Sequence, residues 1–362
     1  MVNMGNESLD LQEMLGALSE ASGVSGAENE AASVMERYIR PHVDRLEKDA
    51  FGNIIAFKRG AADSRRRHAV FIAAHIDEIG LMVTGVDKCG FIRFTTVGGF
   101  DPRTLWGQSV TVHGKEPLRG VIGTLPPHVI KPGDARKAVK VEKMFIDVGL
   151  PAGITADLVS TGDIITIYRR FTPMKDSHYM SGKALDNRAG VATIIHSASI
   201  LGKLKHGADV YFVGTAQEEV GTRGAVTSAY SVNPDIGVAV DVCHGDMPGV
   251  SDEDTFELGK GPAIAVGPNV HPLLAEEIQK VAEEQGIAVN LDPTPGPTPT
   301  DARSIQLARE GVPSALISVP LRYMHTSVEL VHARDIVQAG RLIAYLMLKI
   351  DDDFVNAIKN YD

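Results

Sequence analysis

Four apolar runs, each closing on or leading into an acid or a histidine, constrain the fold of this chain more than any other feature. Residues 68–75 (HAVFIAAH) end on His75, with Asp77 just beyond; 208–214 lead into Glu218 and Glu219; 235–241 (DIGVAVD) end on Asp241; 314–319 lead towards His325. Each run is short for a helix, so each reads as a buried strand. Around them, apolar residues recur at helical spacing over 10–21, 28–39, 189–204, 272–285, 302–309 and 334–348, the last expected to close the fold. Strands alternating with helices make an α/β domain. In open sheets of that class the ligand crevice lies outside the carboxyl ends of the strands, so the polar ends of all four runs are expected to meet there.

Between about residues 81 and 167 the texture changes. Short alternating runs at 81–86, 91–96, 109–112, 121–124, 144–148 and 164–168 are broken by glycines, with one short helical pattern at 152–159. This reads as a small all-β domain, a barrel, inserted into the α/β domain. The expected division is 1–79 with 173–362 for the α/β domain and 80–172 for the insert. Within the insert, 125–143 is rich in Pro, Lys and Arg and reads as a long mobile excursion. Elsewhere, 43–57 reads as two strands turned at Phe51-Gly52-Asn53, and the Pro-rich run 292–301 as a stiff loop delivering Thr300 and Asp301 to a helix.

Taken singly, the polar residues have ordinary explanations. His75 and Asp77, two apart on extended chain, share a face, yet a histidine at a strand end is more often structural. Asp186 starts a helix and could simply cap it. Glu218 and Glu219 could be a solvated loop. Together they are harder to dismiss, because five carboxylates in one crevice repel one another unless cations neutralise them. Two histidines and three carboxylates, one of them bridging, match the ligand count for two divalent ions about 3.5–4 Å apart.

Composition narrows the function class. The 362 residues carry a formal charge of −10, which argues against a nucleic-acid partner held through phosphates. No apolar run approaches the ~20 residues that cross a bilayer, and the first 16 residues lack the pattern of a signal peptide. Cys89 and Cys243 are far apart and fit no CxxC pattern, so a disulfide framework is not expected and a reducing cytoplasm is.

At these same residues the chain resembles the tetrahedral aminopeptidases, a cytosolic two-metal peptidase family that includes glutamyl aminopeptidases. The likeness runs end to end, through Ala74-His75-Ile76-Asp77-Glu78, Val97-Gly98-Gly99-Phe100-Asp101-Pro102, Ala184-Leu185-Asp186-Asn187-Arg188, Gln217-Glu218-Glu219-Val220-Gly221, Thr300-Asp301-Ala302 and Arg322-Tyr323-Met324-His325. The resemblance implies a three-layer αβα metallopeptidase domain with a mixed sheet, plus a PDZ-like β-barrel that makes dimers, six of which build a hollow dodecamer. It implies that His75, Asp186 and Asp241 hold one ion, Zn²⁺ or Co²⁺, and Asp186, Glu219 and His325 a second. Glu218 is then the general base, Asp77 orients His75, Thr300 and Asp301 border the substrate, and the Asp186–Asn187 peptide bond is cis. Pro299 departs from the glycine found in several relatives. The implied substrates are short peptides cut at their N-termini. A deacylase or carboxypeptidase on the same scaffold, a two-carboxylate glycosidase and a noncatalytic metal-binding assembly protein remain alternative readings at this point.

Overall fold

The computed structural model describes residues 4–61, 67–129 and 138–361. Its spine is a mixed sheet ordered Arg45–Lys48, Ile54–Lys58, Asp209–Thr215, Ala69–His75, Ile236–His244, Ser314–Arg322, Glu329–His332, Tyr179–Gly182, Thr172–Pro173. Two further strands branch from it: Ala263–Val266 pairs antiparallel with Ser314–Arg322, and Asn290–Pro293 parallel with Ala263–Val266. The four central strands, Asp209–Thr215 to Ser314–Arg322, are mutually parallel. Their carboxyl ends therefore share one edge.

Side-chain alternation decides which way the polar ends face. Val70, Ile72 and Ala74 pack on one side with Leu15, Leu18, Met35, Ile194 and Ile343, under the helices Met4–Glu20, Asn29–Ile39, Leu185–Leu201 and Ala333–Leu346. Phe71 and Ala73 face the other side with Ala225, Ala229, Ala302 and Ile305 of the short helices Arg223–Val232 and Asp301–Gln306. This is the three-layer αβα arrangement. His75 continues the row of Phe71 and Ala73, and Asp241 continues that of Ala239, so both point to the side with the shorter helices. The sheet edge there is left open as a cleft.

The chain leaves the sheet after His75 to build a closed antiparallel barrel, in order Gly80–Val86, Ile92–Val97, Phe145–Asp147, Pro117–Gly123, Ser109–His113, Ile164–Ile167. Leu81, Val83, Ile92, Phe94, Val110, Val112, Ile122, Ile146 and Ile165 fill it, the alternate residues of its strands. The helix Ala152–Leu158 lies where the sequence places one. Of the expected excursion at 125–143, residues 130–137 lie outside the described part.

Some expectations need correction. Ala333–Leu346 is not the last helix: Asp352–Lys359 follows, capped by Asp351, whose carboxylate accepts the Phe354 N–H at 2.8 Å. Strands Ile236–His244 and Ser314–Arg322 each run three residues beyond their apolar cores, because they pair with each other through Cys243–Pro320 and His244–Leu321. The short strands Thr172–Pro173, Tyr179–Gly182, Asn290–Pro293 and Glu329–His332 carry too few apolar residues to signal themselves.

Candidate metal centre

At the open edge, the polar strand ends converge. His75 Nε2 stands 3.2 Å from Asp186 Oδ1 and 3.9 Å from both Asp241 Oδ1 and Glu218 Oε2. His325 Nε2 stands 3.3 Å from Asp186 Oδ2 and 3.5 Å from Glu219 Oε1. The two oxygens of Asp186 thus face two separate histidine–carboxylate groups. Donor atoms of His75, Asp186 and Glu219 all lie within 4.8 Å of one another.

Backbone shape aims these side chains. Asp186 is no helix cap: it lies just inside the first turn of Leu185–Leu201 with φ −80° and ψ 102°, and its peptide bond to Asn187 is cis. Ala184, Gln217 and His325 take left-handed φ values of 55°, 58° and 59°. Each costs roughly 1 kcal/mol or more for a residue with a Cβ, and each is tied in by neighbouring bonds. Gly99, from the insert, comes so close that a Cβ there would lie 3.1 Å from His325 Nδ1.

Asp77 is wholly buried. Its main-chain carbonyl accepts from His75 Nδ1 at 3.1 Å, which makes Nδ1 a donor and turns Nε2 towards the carboxylates. Its carboxylate, 3.5 Å from Nδ1, accepts the Glu218 N–H at 2.9 Å, the Glu219 N–H at 3.1 Å and the Ser25 hydroxyl at 2.6 Å. Asp77 therefore fixes the turn carrying both glutamates as well as His75. Thr300 lines the cleft, while Asp301 is buried beneath it with Oδ2 accepting from Thr215 Oγ1 at 2.5 Å.

Sequence reasoning missed Glu329, whose carboxylate accepts the Asp186 N–H at 3.0 Å and the His325 N–H at 2.9 Å. It also missed the buried pair of Glu78 with Lys183, at 2.8 Å. No local spacing marks either.

The donor set fits divalent cations. Burial pushes Glu218 up to about 10, Asp241 up to about 8 and Asp301 up to about 6. Hydrogen bonds to Asp186 and Glu219 lift His325 to about 11. Burial also opposes charge on Asp186, but the bonds to His325 and His75 outweigh it and hold this carboxyl below its ordinary value. Two imidazoles cannot neutralise so many carboxylates; hard oxygen donors with imidazoles and a surplus of negative charge suit divalent metal. The cleft around them measures about 1030 Å³ and is walled by Thr222, Phe256, Asp292, Pro297, Arg303 and Met324.

Comparison with known proteins identifies the family. A family model described as M42 glutamyl aminopeptidase matches residues 52–342. The chain belongs to that family. It is 35% identical over 340 residues to a lysyl aminopeptidase of Pyrococcus furiosus, covering 92% of this chain and 96% of the relative. Its fold is similar to the crystal structure of a TET aminopeptidase from a marine sediment thaumarchaeote, with TM-score 0.91, 31% identity and coverage of 98% and 100%. It is also similar to the TET1 peptidase of Pyrococcus horikoshii, which can assemble into a tetrahedron or a large octahedral shell, with TM-score 0.82, 32% identity and coverage of 94% and 100%. As an M42 member the chain is a metal-dependent aminopeptidase, a hydrolase of the exopeptidase class.

Proposed function

We propose that this M42 aminopeptidase removes N-terminal residues from short peptides with two divalent ions, Zn²⁺ or Co²⁺, in each subunit. The observation that carries this is Asp186, whose two carboxylate oxygens each face a different histidine. His75, Asp186 and Asp241 would hold one ion, and Asp186, Glu219 and His325 the other. When bound, such a pair supplies Lewis acidity for the scissile carbonyl and lowers the pKa of the attacking water.

The remaining steps belong to the chain. Glu218, 3.9 Å from His75 Nε2 and set by its own N–H on Asp77, takes the proton from the attacking water. The resulting carboxylic acid then protonates the departing amine as the C–N bond breaks. Asp77 keeps the His75 tautomer and the Gln217–Glu219 turn in place. Thr300 borders the substrate, with Asp301 supporting that wall from below. N-terminal selection rests on the free α-amine reaching this carboxylate-rich end of the cleft, which internal peptide bonds do not offer.

The same proposal takes 1–79 with 173–362 as the catalytic domain and 80–172 as a dimerisation barrel, in a self-enclosing dodecamer of cytoplasmic setting. Support comes from the barrel as a separate closed body and from the assembly described for the Pyrococcus horikoshii relative. The test is turnover of aminoacyl-p-nitroanilides against N-acetylated analogues, with and without added Zn²⁺ or Co²⁺, with particle mass measured on the same sample. Equal cleavage of blocked substrates, or activity indifferent to chelation, would sink it.

A further inference from the structure

Glu329 touches neither the cleft nor the other carboxylates through a hydrogen bond, yet it lies where two ligand-bearing segments meet. It opens the strand Glu329–His332, opposite Gly182 of the strand that leads into Asp186, and four residues after His325. Its side chain is buried, at 2% exposure. Oε2 accepts the Asp186 N–H at 3.0 Å and Oε1 the His325 N–H at 2.9 Å. Both donors sit on irregular backbone, Asp186 at φ −80° and ψ 102° in the first turn of its helix and His325 at φ 59°. Neither N–H is used by a helix or a strand ladder, so one rigid carboxylate spans the two. The arrangement mirrors Asp77, whose carboxylate spans the Glu218 and Glu219 amides on the other side of the site.

We propose that Glu329 is a positioning residue that sets the separation of Asp186 from His325, and so the affinity and geometry of the ion held by Asp186, Glu219 and His325. This rests on the two-ion reading above. Glu329→Gln separates its role from simple packing. The amide has nearly the same size, but one arm becomes a donor; with N–H donors on both sides, at most one of the two bonds survives. Glu329→Asp keeps the carboxyl group but is one methylene too short to span both amides.

The test is titration of metal-free protein with Co²⁺, followed by visible absorption and by competition with a chelator, with thermal unfolding of the metal-free form measured in parallel. Wild-type protein is expected to take two ions per subunit. Glu329→Gln should keep one at wild-type affinity and bind the other about 10–100-fold more weakly, with an altered absorption band. Its kcat should fall with little change in KM. Should Glu329→Gln fail to fold, Glu329→Asp carries the same expectation. Wild-type affinities and spectrum for both ions in a folded variant would overturn the assignment. Wild-type protein that binds no Co²⁺ would overturn the two-ion reading itself, and this role with it.

Discussion

Removing the Lys183 ammonium tests how far the buried charges outside the metal centre hold it together. Lys183 and Glu78 are 4% and 3% exposed. Lys183 Nζ donates to both Glu78 oxygens at 2.8 Å and to the Ala21 carbonyl at 3.0 Å. The pair staples the chain just beyond Asp77 to the segment just before Asp186. In Lys183→Met the Glu78 carboxylate would keep, among the described residues, the Gly23 N–H at 2.9 Å and the Arg188 guanidinium at 4.0 Å. Leaving one partner of a buried pair uncompensated typically costs about 3–5 kcal/mol. That is on the order of a thousandfold in the folding equilibrium. Glu78→Gln combined with Lys183→Met removes both charges and should recover at least about 2 kcal/mol of that loss, because the penalty belongs to the orphaned charge. The assay is urea unfolding followed by circular dichroism, at fixed protein and metal concentration. A single variant within ~1 kcal/mol of wild type, or a double variant no better than the single, would refute the reasoning.

Three further outcomes are expected. Glu218→Gln should retain metal, measured by mass spectrometry of the dialysed protein, while kcat falls by about 10²–10⁴ through loss of the proton carrier. Gly99→Val should fold normally but displace His325, since even a Cβ would stand 3.1 Å from its Nδ1; metal content after dialysis should fall towards one ion per subunit. His196 packs by Gly340 with its Nε2 unpartnered among the described residues, and burial lowers its pKa to about 4. Its folded value lies below the unfolded value near 6.5, so the unfolded chain binds the proton first as pH falls. Its contribution is therefore complete above pH 6.5 and is lost between 6.5 and 4, by up to about 3 kcal/mol. His196→Leu should flatten that part of the stability profile, and an unchanged slope would exclude this histidine as its source.

Much of the candidate metal centre was legible because its signals are local. Each ligand lies at or just beyond an apolar run, or at a helix start, and a buried strand announces itself within seven or eight residues. The barrel was legible for the same reason: six alternating runs broken by glycine need no knowledge of their partners. What escaped were elements that exist only by pairing. The Glu329–His332 strand carries two apolar residues and is held by neighbours on both sides, and the added lengths of Ile236–His244 and Ser314–Arg322 come from each other.

The sequence alone determined which residue types stand at the strand ends, and hence that a carboxylate-rich crevice must meet a compensating cation. Tertiary structure alone decided how those side chains are held. Glu329 reaches Asp186 across 143 residues and Lys183 reaches Glu78 across 105. The amide of His325 finds its acceptor only because the backbone turns left-handed there. Which distant polar groups are buried together, and which hydrogen bond joins them, are properties of the packed chain that leave no mark in the spacing of side chains along it.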